Sequence, residues 1–415
     1  MPEQPSPATA DASASAGYRQ MLVALMFGGL ANFSLLYFVQ PLLPLLVSQY
    51  DVSPAESAHA LSITTAALTL GLLMAGSLAD RFGRVQVMRA SLVLSGILGL
   101  AAAIAPTWSV LLVVRGLVGV TLAWFPAAAL AYLREAVPHE SHGRANAAYI
   151  AGTAIGGAVG RLLPGPLAAL GGWTMTATAM SLLTLVSGLV LWALLPVPAG
   201  WRPHRAELRH VLLGTVMAPS DAVVAWLCVA GFTSMGAFVA IYNAAAFQLQ
   251  APPFSLGHAV GWVYFAYPLG IGAPYLLRRV AERRGRGVAT VIGAVGLPIA
   301  VLLTALPSVF GMFVALGVLT FAFLGTHSLL SGWVVDRAAR RHRGTAQASS
   351  AYLLAYYLGS TVAGAVATWL WQLFGWNAVE ALGLILTGLT IVAVVIATLA
   401  DRTPQTSLDA QPTHV

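Results

Sequence analysis

The sequence predicts an all-α membrane protein of twelve transmembrane helices arranged as two pseudosymmetric six-helix bundles. Three observations carry this. Charged residues make up 8% of the chain, where a soluble domain has roughly 25%, so most of the chain must face hydrocarbon. The apolar segments are long enough for the ~20 residues a helical span needs, and 415 residues accommodate about a dozen with short connections. Finally, Leu78-Ala79-Asp80-Arg81-Phe82-Gly83-Arg84 returns as Val280-Ala281-Glu282-Arg283-Arg284-Gly285-Arg286. A long-period echo between hydrophobic segments marks a duplicated bundle.

The elements follow in order. Residues 1–18 are rich in Ala, Ser and Pro, with no basic residue before Arg19, and read as a disordered tail rather than a cleavable signal. An N-terminal bundle, 19–195, contains apolar segments near 21–46, 57–79, 86–106, 109–133, 145–170 and 174–195. Pro196, Pro198 and Pro203 with Arg202, Arg205 and Arg209 mark 196–220 as the linker between halves. A C-terminal bundle, 221–400, contains segments near 222–247, 258–277, 287–306, 309–334, 347–372 and 377–399, and 401–415 is a second tail.

Arginines occupy alternate connections: Arg81 and Arg84 after span two, Arg134 and Arg144 after span four, Arg278, Arg279, Arg283, Arg284 and Arg286 after span eight, and Arg337, Arg340, Arg341 and Arg343 after span ten. The intervening connections hold none, and the first of them carries Asp51 and Glu56. Basic loops are retained in the cytoplasm. The arginine-bearing end, the linker and both termini are therefore expected there, with the chain in the inner (plasma) membrane. The other connections are as short as Thr107-Trp108, leaving no room for an outer domain, so any chemistry belongs inside the bundle.

Several function classes drop out. The net charge is +7, but the basic residues alternate with spans instead of forming one stripe, so no nucleic-acid partner is expected. All 21 basic residues are Arg, which excludes a P-loop lysine and a Schiff-base lysine. Cys228 is the single cysteine, allowing no internal disulfide and no thiolate cluster. His139-Glu140-Ser141-His142 is one residue short of the zincin spacing and reads as solvated loop. No cofactor and no metal are expected, nor is a nucleophile, acid pair or metal set assembled for an enzyme.

Gly76-Ser77-Leu78-Ala79-Asp80-Arg81-Phe82-Gly83-Arg84 resembles the loop motif of the major facilitator superfamily, between spans two and three. The resemblance implies a cytoplasmic latch between halves built from Gly76, Asp80, Arg81, Gly83 and Arg84, echoed by Glu282 and Arg286. Gly83 permits a tight turn and Asp80 can pair with Arg or cap a helix. Arg115 through Gly119 resembles the family's span-four motif, which implies a role for Arg115 in proton coupling. Span five carries Gly152, Gly156 and Gly160 at intervals of four, on one face, and resembles the motif of the drug:proton antiporter branch. Gly157 is followed by Ala158 where that motif has Gly-Pro. With Gly359 in span eleven, these small residues are expected at an interface where the halves rock. Phe38-Val39-Gln40-Pro41-Leu42-Leu43-Pro44 and Gly156-Gly157-Ala158-Val159-Gly160-Arg161 are similar to runs in poorly characterised inner-membrane exporters of the same superfamily.

Arg161 stands about two thirds of the way through span five. A guanidinium at that depth needs a partner or water, and no Asp or Glu lies at comparable depth in the facing spans. Facing a cavity, it would favour an anionic or strongly hydrogen-bonding solute. Asn32, Tyr37, Gln40, Tyr242 and Asn243 are the other cavity candidates, with Tyr264, Tyr267, Tyr352 and Tyr356 behind them. His327 in span ten is the side chain suited to carrying a proton near neutral pH. The expected function is secondary transport of a small solute by alternating access. The span-five resemblance implies proton-coupled efflux; a small-molecule substrate, protons and the lipid bilayer are the expected partners, and the protein is expected to function as a monomer. The residues leave open uptake or facilitated diffusion of an anionic metabolite, and behind these a membrane-embedded enzyme or sensor.

Overall fold

The computed structural model describes residues 7–136, 142–195, 213, 215, 217–341 and 344–402. Most of 196–220, the residues 139–141 of the His-Glu-Ser-His run and 403–415 lie outside the described residues. The described chain is helical throughout. The N-terminal half comprises Pro7–Tyr37, continued by a short turn and Leu43–Tyr50 as span one; Pro54–Ser57 and His59–Phe82 as span two; Arg84–Ala103; Trp108–Ala136; His142–Leu162; and Pro164–Leu194. The C-terminal half comprises Ala222–Gln248; Gly257–Gly270 with Ala273–Arg284 as span eight; Arg286–Leu303; Val309–Arg340; Thr345–Phe374; and Trp376–Arg402.

One boundary differs from the expectation for a physical reason. Residues 7–18 are helical, not an irregular tail, because alternate alanines here carry the highest helix propensity and extend span one outward. Helix restarts at Pro164 within span five. Gly171 and Gly172 interrupt it with non-helical geometry, so Pro164–Leu170 prolongs span five and span six begins at Trp173. Pro164 sits at a first helical position, where its missing N–H costs nothing.

The duplication is visible in the backbone. Gly83 (φ 91°) and Gly285 (φ 88°) open corresponding turns, as do Gly172 (φ 62°) and Gly375 (φ 73°). These positive φ values are the conformations glycine adopts without a Cβ clash. Spans five and eight, one in each half, interrupt the run of long apolar helices. The ten others qualify as membrane spans by length and hydropathy, whereas span five carries Arg144 and Arg161 and span eight is largely 3-10 helix with Pro268 inside. Large apolar side chains such as Leu70, Val113, Leu189 and Ile385 point outward, 62–66% exposed, as lipid-facing positions require.

The glycine ridges pack within halves. A Cβ on Gly152 or Gly156 would strike the backbone oxygens of Met26 and Leu30, and one on Gly160 would lie 2.8 Å from that of Ser34, all in span one. On the other side, a Cβ on Gly359 would strike the Phe232 oxygen of span seven. These glycines thus pack helix against helix within each half, the generic membrane packing open to them, and not across a rocking interface. Spacing of four defines a face, and the nearest helix that face can bury against lies in its own bundle. Gly156→Leu should abolish recovery of monodisperse protein in detergent. Gly76→Ala, which meets nothing within 4 Å, should leave it unchanged; size-exclusion profiles of both variants check this.

The halves meet toward the arginine-poor end. There Gln40 bonds Asn243 at 2.7 Å, the Ala55 amide donates to Gln372 at 3.2 Å, and the Thr65 and Thr361 hydroxyls lie 2.8 Å apart. Gly165 and Gly261 approach so closely that a Cβ on the first would be 2.9 Å from the second's Cα. The buried apolar residues repeat the asymmetry. One cluster containing Leu35, Trp173, Met235 and Tyr356 runs through both halves. Toward the arginine-bearing end the clusters separate, with Met21, Met88 and Tyr132 in one half and Val224, Trp333 and Val394 in the other. Among the described residues the halves are thus closed toward one end and parted toward the other. Cysteines placed at Thr65 and Thr361 should crosslink under oxidant and arrest transport until reduced, and undiminished flux through the crosslinked protein would contradict a seam that opens there.

At the arginine-bearing end of the C-terminal half, Arg337 bonds both Asp221 (3.0 Å) and Asp401 (2.8 Å), joining the start of span seven to the ends of spans ten and twelve. Asp221 also caps span seven by accepting from the Val223 and Val224 amides. Burial alone would raise its pKa, but the bonds from Arg337 and the two amides outweigh that and hold the carboxyl below its ordinary value. The folded value lies below the unfolded one, so this contribution to stability is complete above the ordinary carboxylate range near 4 and is lost as pH falls through the lowered value. The stability gap between wild type and Asp221→Asn should therefore shrink as pH falls from about 5 to about 3, as melting in detergent across that range would record.

Candidate functional site

Arg161, in the outer part of span five, is 1% exposed. Its Nε donates to the Gln40 Oε1 at 2.8 Å and its Nη1 to the Gly157 carbonyl at 2.9 Å. Four rings surround the guanidinium: Tyr37 with its centroid at 4.3 Å, Tyr267 at 4.7 Å, Tyr242 at 5.3 Å and Phe238 at 5.6 Å. The first belongs to span one and the others to spans eight and seven of the opposite half. Cation–π contact in a desolvated place offsets part of the burial cost. Among the described residues no carboxylate forms an ion pair with Arg161. The Tyr37 hydroxyl, beside it, is buried with no hydrogen-bond partner.

Gln40 and Asn243 complete the seam. The Gln40 amide accepts from Arg161 and donates to Asn243, whose own amide reaches the Gly364 carbonyl at 3.4 Å. Gln40 is placed there because span one ends at Tyr37 and the chain turns through Gln40–Leu42, with Pro41 at an early helical position. Tyr242 bonds Thr320 at 2.6 Å and receives the Tyr264 hydroxyl on its carbonyl at 3.1 Å. Phe238 stacks on Phe323 at 4.2 Å, and Phe323 on His327 at 5.9 Å. His327 Nδ1 lies 2.8 Å from the Tyr352 hydroxyl, with the Tyr356 ring 4.5 Å away.

Of the expected cavity residues, the structure gathers Tyr37, Gln40, Arg161, Tyr242 and Asn243 around one point, with His327 further along the same ring ladder. Two do not join them. Asn32 donates to the Leu122 carbonyl at 2.7 Å, tying spans one and four. Arg115 is fully buried and donates at 3.2 Å each to the carbonyls of Ala60, Leu35 and Leu36. Leu35 and Leu36 lie in the last turn of the helix ending at Tyr37, whose carbonyls lack intrahelical partners and whose dipole favours a cation. That tie among spans one, two and four accounts for Arg115 without proton transfer. Phe238, Phe323 and Thr320 were not anticipated. Phe238 precedes Tyr242 by four residues, as Phe323 does His327, so a shared helical face was the available signal.

Among the described residues, the following contacts of the expected latch residues lie within each half. Asp80 pairs with Arg84 at 3.6 Å, Arg81 lies over the Phe82 ring at 5.3 Å, and Glu282 pairs with Arg278 at 2.9 Å. Arg286 bonds Asp336 in span ten, within its own half. Among the described residues no His, Cys, Asp and Glu group is arranged to hold a metal.

Comparison with known proteins agrees with this architecture. The model of the Major Facilitator Superfamily matches residues 25–258. The inner membrane transport protein YnfM of Escherichia coli (strain K12) is 32% identical over 386 residues, covering 93% of this chain and 91% of that protein. The uncharacterized MFS-type transporter YybF of Bacillus subtilis (strain 168) is 32% identical, with 86% and 88% covered. Among solved structures, a D-xylose-proton symporter superposes with a TM-score of 0.69 at 16% identity, over 93% of this chain and 98% of that one. With its two six-helix halves parted toward one end around a buried polar seam, the chain belongs to the major facilitator superfamily and is a multi-pass secondary transporter of the membrane, not an enzyme.

Proposed function

We propose that this transporter carries a small organic anion with an apolar, ring-sized body through the chamber between its halves. The observation that carries the reading is Arg161, a buried guanidinium with no carboxylate partner among the described residues. A permanent positive charge in an apolar surround is costly until an anion pairs with it. The unpartnered Tyr37 hydroxyl supplies a second donor beside it, and Phe238, Tyr242 and Tyr267 supply aromatic walls. A few convergent polar groups among rings are what a small-molecule site contains. The arginine-bearing end is assigned to the cytoplasm by its basic connections, so the parted state faces inward, and one chain supplies every residue of the seam.

The motif resemblance in span five favours proton-driven efflux, whereas the site's chemistry favours the anionic-solute reading. Flux into proteoliposomes of benzoate, benzenesulfonate, glucose and a cationic dye tests the class. Saturable flux of the two anions, lost with Arg161→Gln, is expected. Flux of glucose or dye alone, unaffected by that substitution, would refute the reading.

A further inference from the structure

Arg161 and His327 are joined by two rings. The guanidinium carbon lies 5.6 Å from the Phe238 centroid, Phe238 stacks on Phe323 at 4.2 Å, and Phe323 on His327 at 5.9 Å. His327 is half-buried, and its Nδ1 is engaged by the Tyr352 hydroxyl at 2.8 Å. The groups facing it are phenols: Tyr352 and Tyr356 from span eleven, with Cys228 of span seven behind Tyr352, and Tyr37 and Tyr267 beyond Tyr356. Span nine, also packed on span ten, brings one charged group, Arg286, at the arginine-bearing end, where it pairs with Asp336. No carboxylate among the described residues bonds either Arg161 or His327, so no negative charge of the protein balances a proton arriving on the imidazole.

We infer that the anion and a proton travel in the same direction, the proton carried on His327. This rests on the anionic-solute reading above. A second positive charge in a buried seam that already holds a guanidinium is repelled until an anion enters. The anion in turn is attracted by both cations. Proton and anion binding are therefore positively linked, and by thermodynamic reciprocity each raises the other's affinity by the same factor. For unit charges about 10 Å apart in a protein interior the factor is roughly tenfold. A chamber that used the proton to expel its solute would need the opposite sign, with proton and solute competing for one negative group. A monoanion and a proton together also leave the chamber's net charge as it was when empty, so their joint movement is electroneutral.

The experiment is uptake of benzenesulfonate, ionised at every pH used so that passive diffusion of a neutral acid contributes nothing. Proteoliposomes would carry an imposed pH gradient of either sign. The expected result is accumulation on the alkaline side, an apparent affinity about tenfold higher at acidic than at alkaline pH, and no response to an imposed membrane potential. In His327→Gln the pH dependence and the gradient-driven accumulation should vanish, while counterflow at equal pH stays measurable and shows that the variant is folded. Accumulation on the acidic side, or an undiminished pH dependence in His327→Gln, would overturn the shared direction while leaving the anion site standing. Absence of benzenesulfonate counterflow in wild type would overturn the anion site and the inference together.

Discussion

Replacing Arg161 by Gln should cost about ten- to hundred-fold in apparent affinity for an anionic solute, the span of a lost charge-assisted hydrogen bond. Glutamine keeps a donor for the Gly157 carbonyl and removes the charge, so packing against Tyr37, Tyr242 and Tyr267 is largely kept while the anion loses its anchor. Arg161→Lys separates charge from shape. An ammonium retains the charge but cannot present a planar fork to Gln40 and Gly157 together, so an intermediate loss is expected. The measurement is concentration-dependent counterflow in vesicles, with melting in detergent to confirm the fold. Equal affinity in wild type and Arg161→Gln would show that the guanidinium only fastens the seam.

Arg115→Lys should lower stability by several kcal/mol, since hydrogen bonds to a buried charged group contribute about 1.5–3 kcal/mol each and Arg115 makes three. A lysine has the charge but not the reach to serve Ala60, Leu35 and Leu36 at once. The carbonyls at the end of span one would be left without donors in a place water does not reach. Loss of thermal stability in detergent, together with reduced recovery of folded protein, is the expected result. A variant that melts like wild type but loses transport would return Arg115 to the coupling role implied by its motif.

The two arginines show what kind of information a sequence holds about a site. Both are legible as buried charges, because an Arg amid twenty apolar residues has no inexpensive place in lipid. Their different surroundings are not. Arg115 finds its partners at the end of span one, 79 to 80 residues away, and Arg161 finds Gln40 121 residues away and rings in the other half. Spacing along one helix cannot say which neighbour a face will meet. The same gap explains the glycine ridges. Gly152, Gly156 and Gly160 were readable as one smooth face, and only packing directed it to span one instead of across the seam.

What the sequence alone determined is everything local or periodic. Apolar runs longer than a bilayer require helices because lipid offers no partner to a backbone amide. The echoed Gly83 and Gly285 permit the positive φ their turns adopt, and the recurrence of such turns implies the duplicated bundle. The tertiary structure decided which polar groups meet and which end is open. It closed the arginine-poor end through Gln40, Asn243, Thr65 and Thr361, spent Arg115 and Asn32 inside one half, and set Arg161 among rings from both. Each of those outcomes depends on contacts between helices far apart in the chain, which form only when whole bundles pack and which no single segment's energetics encodes.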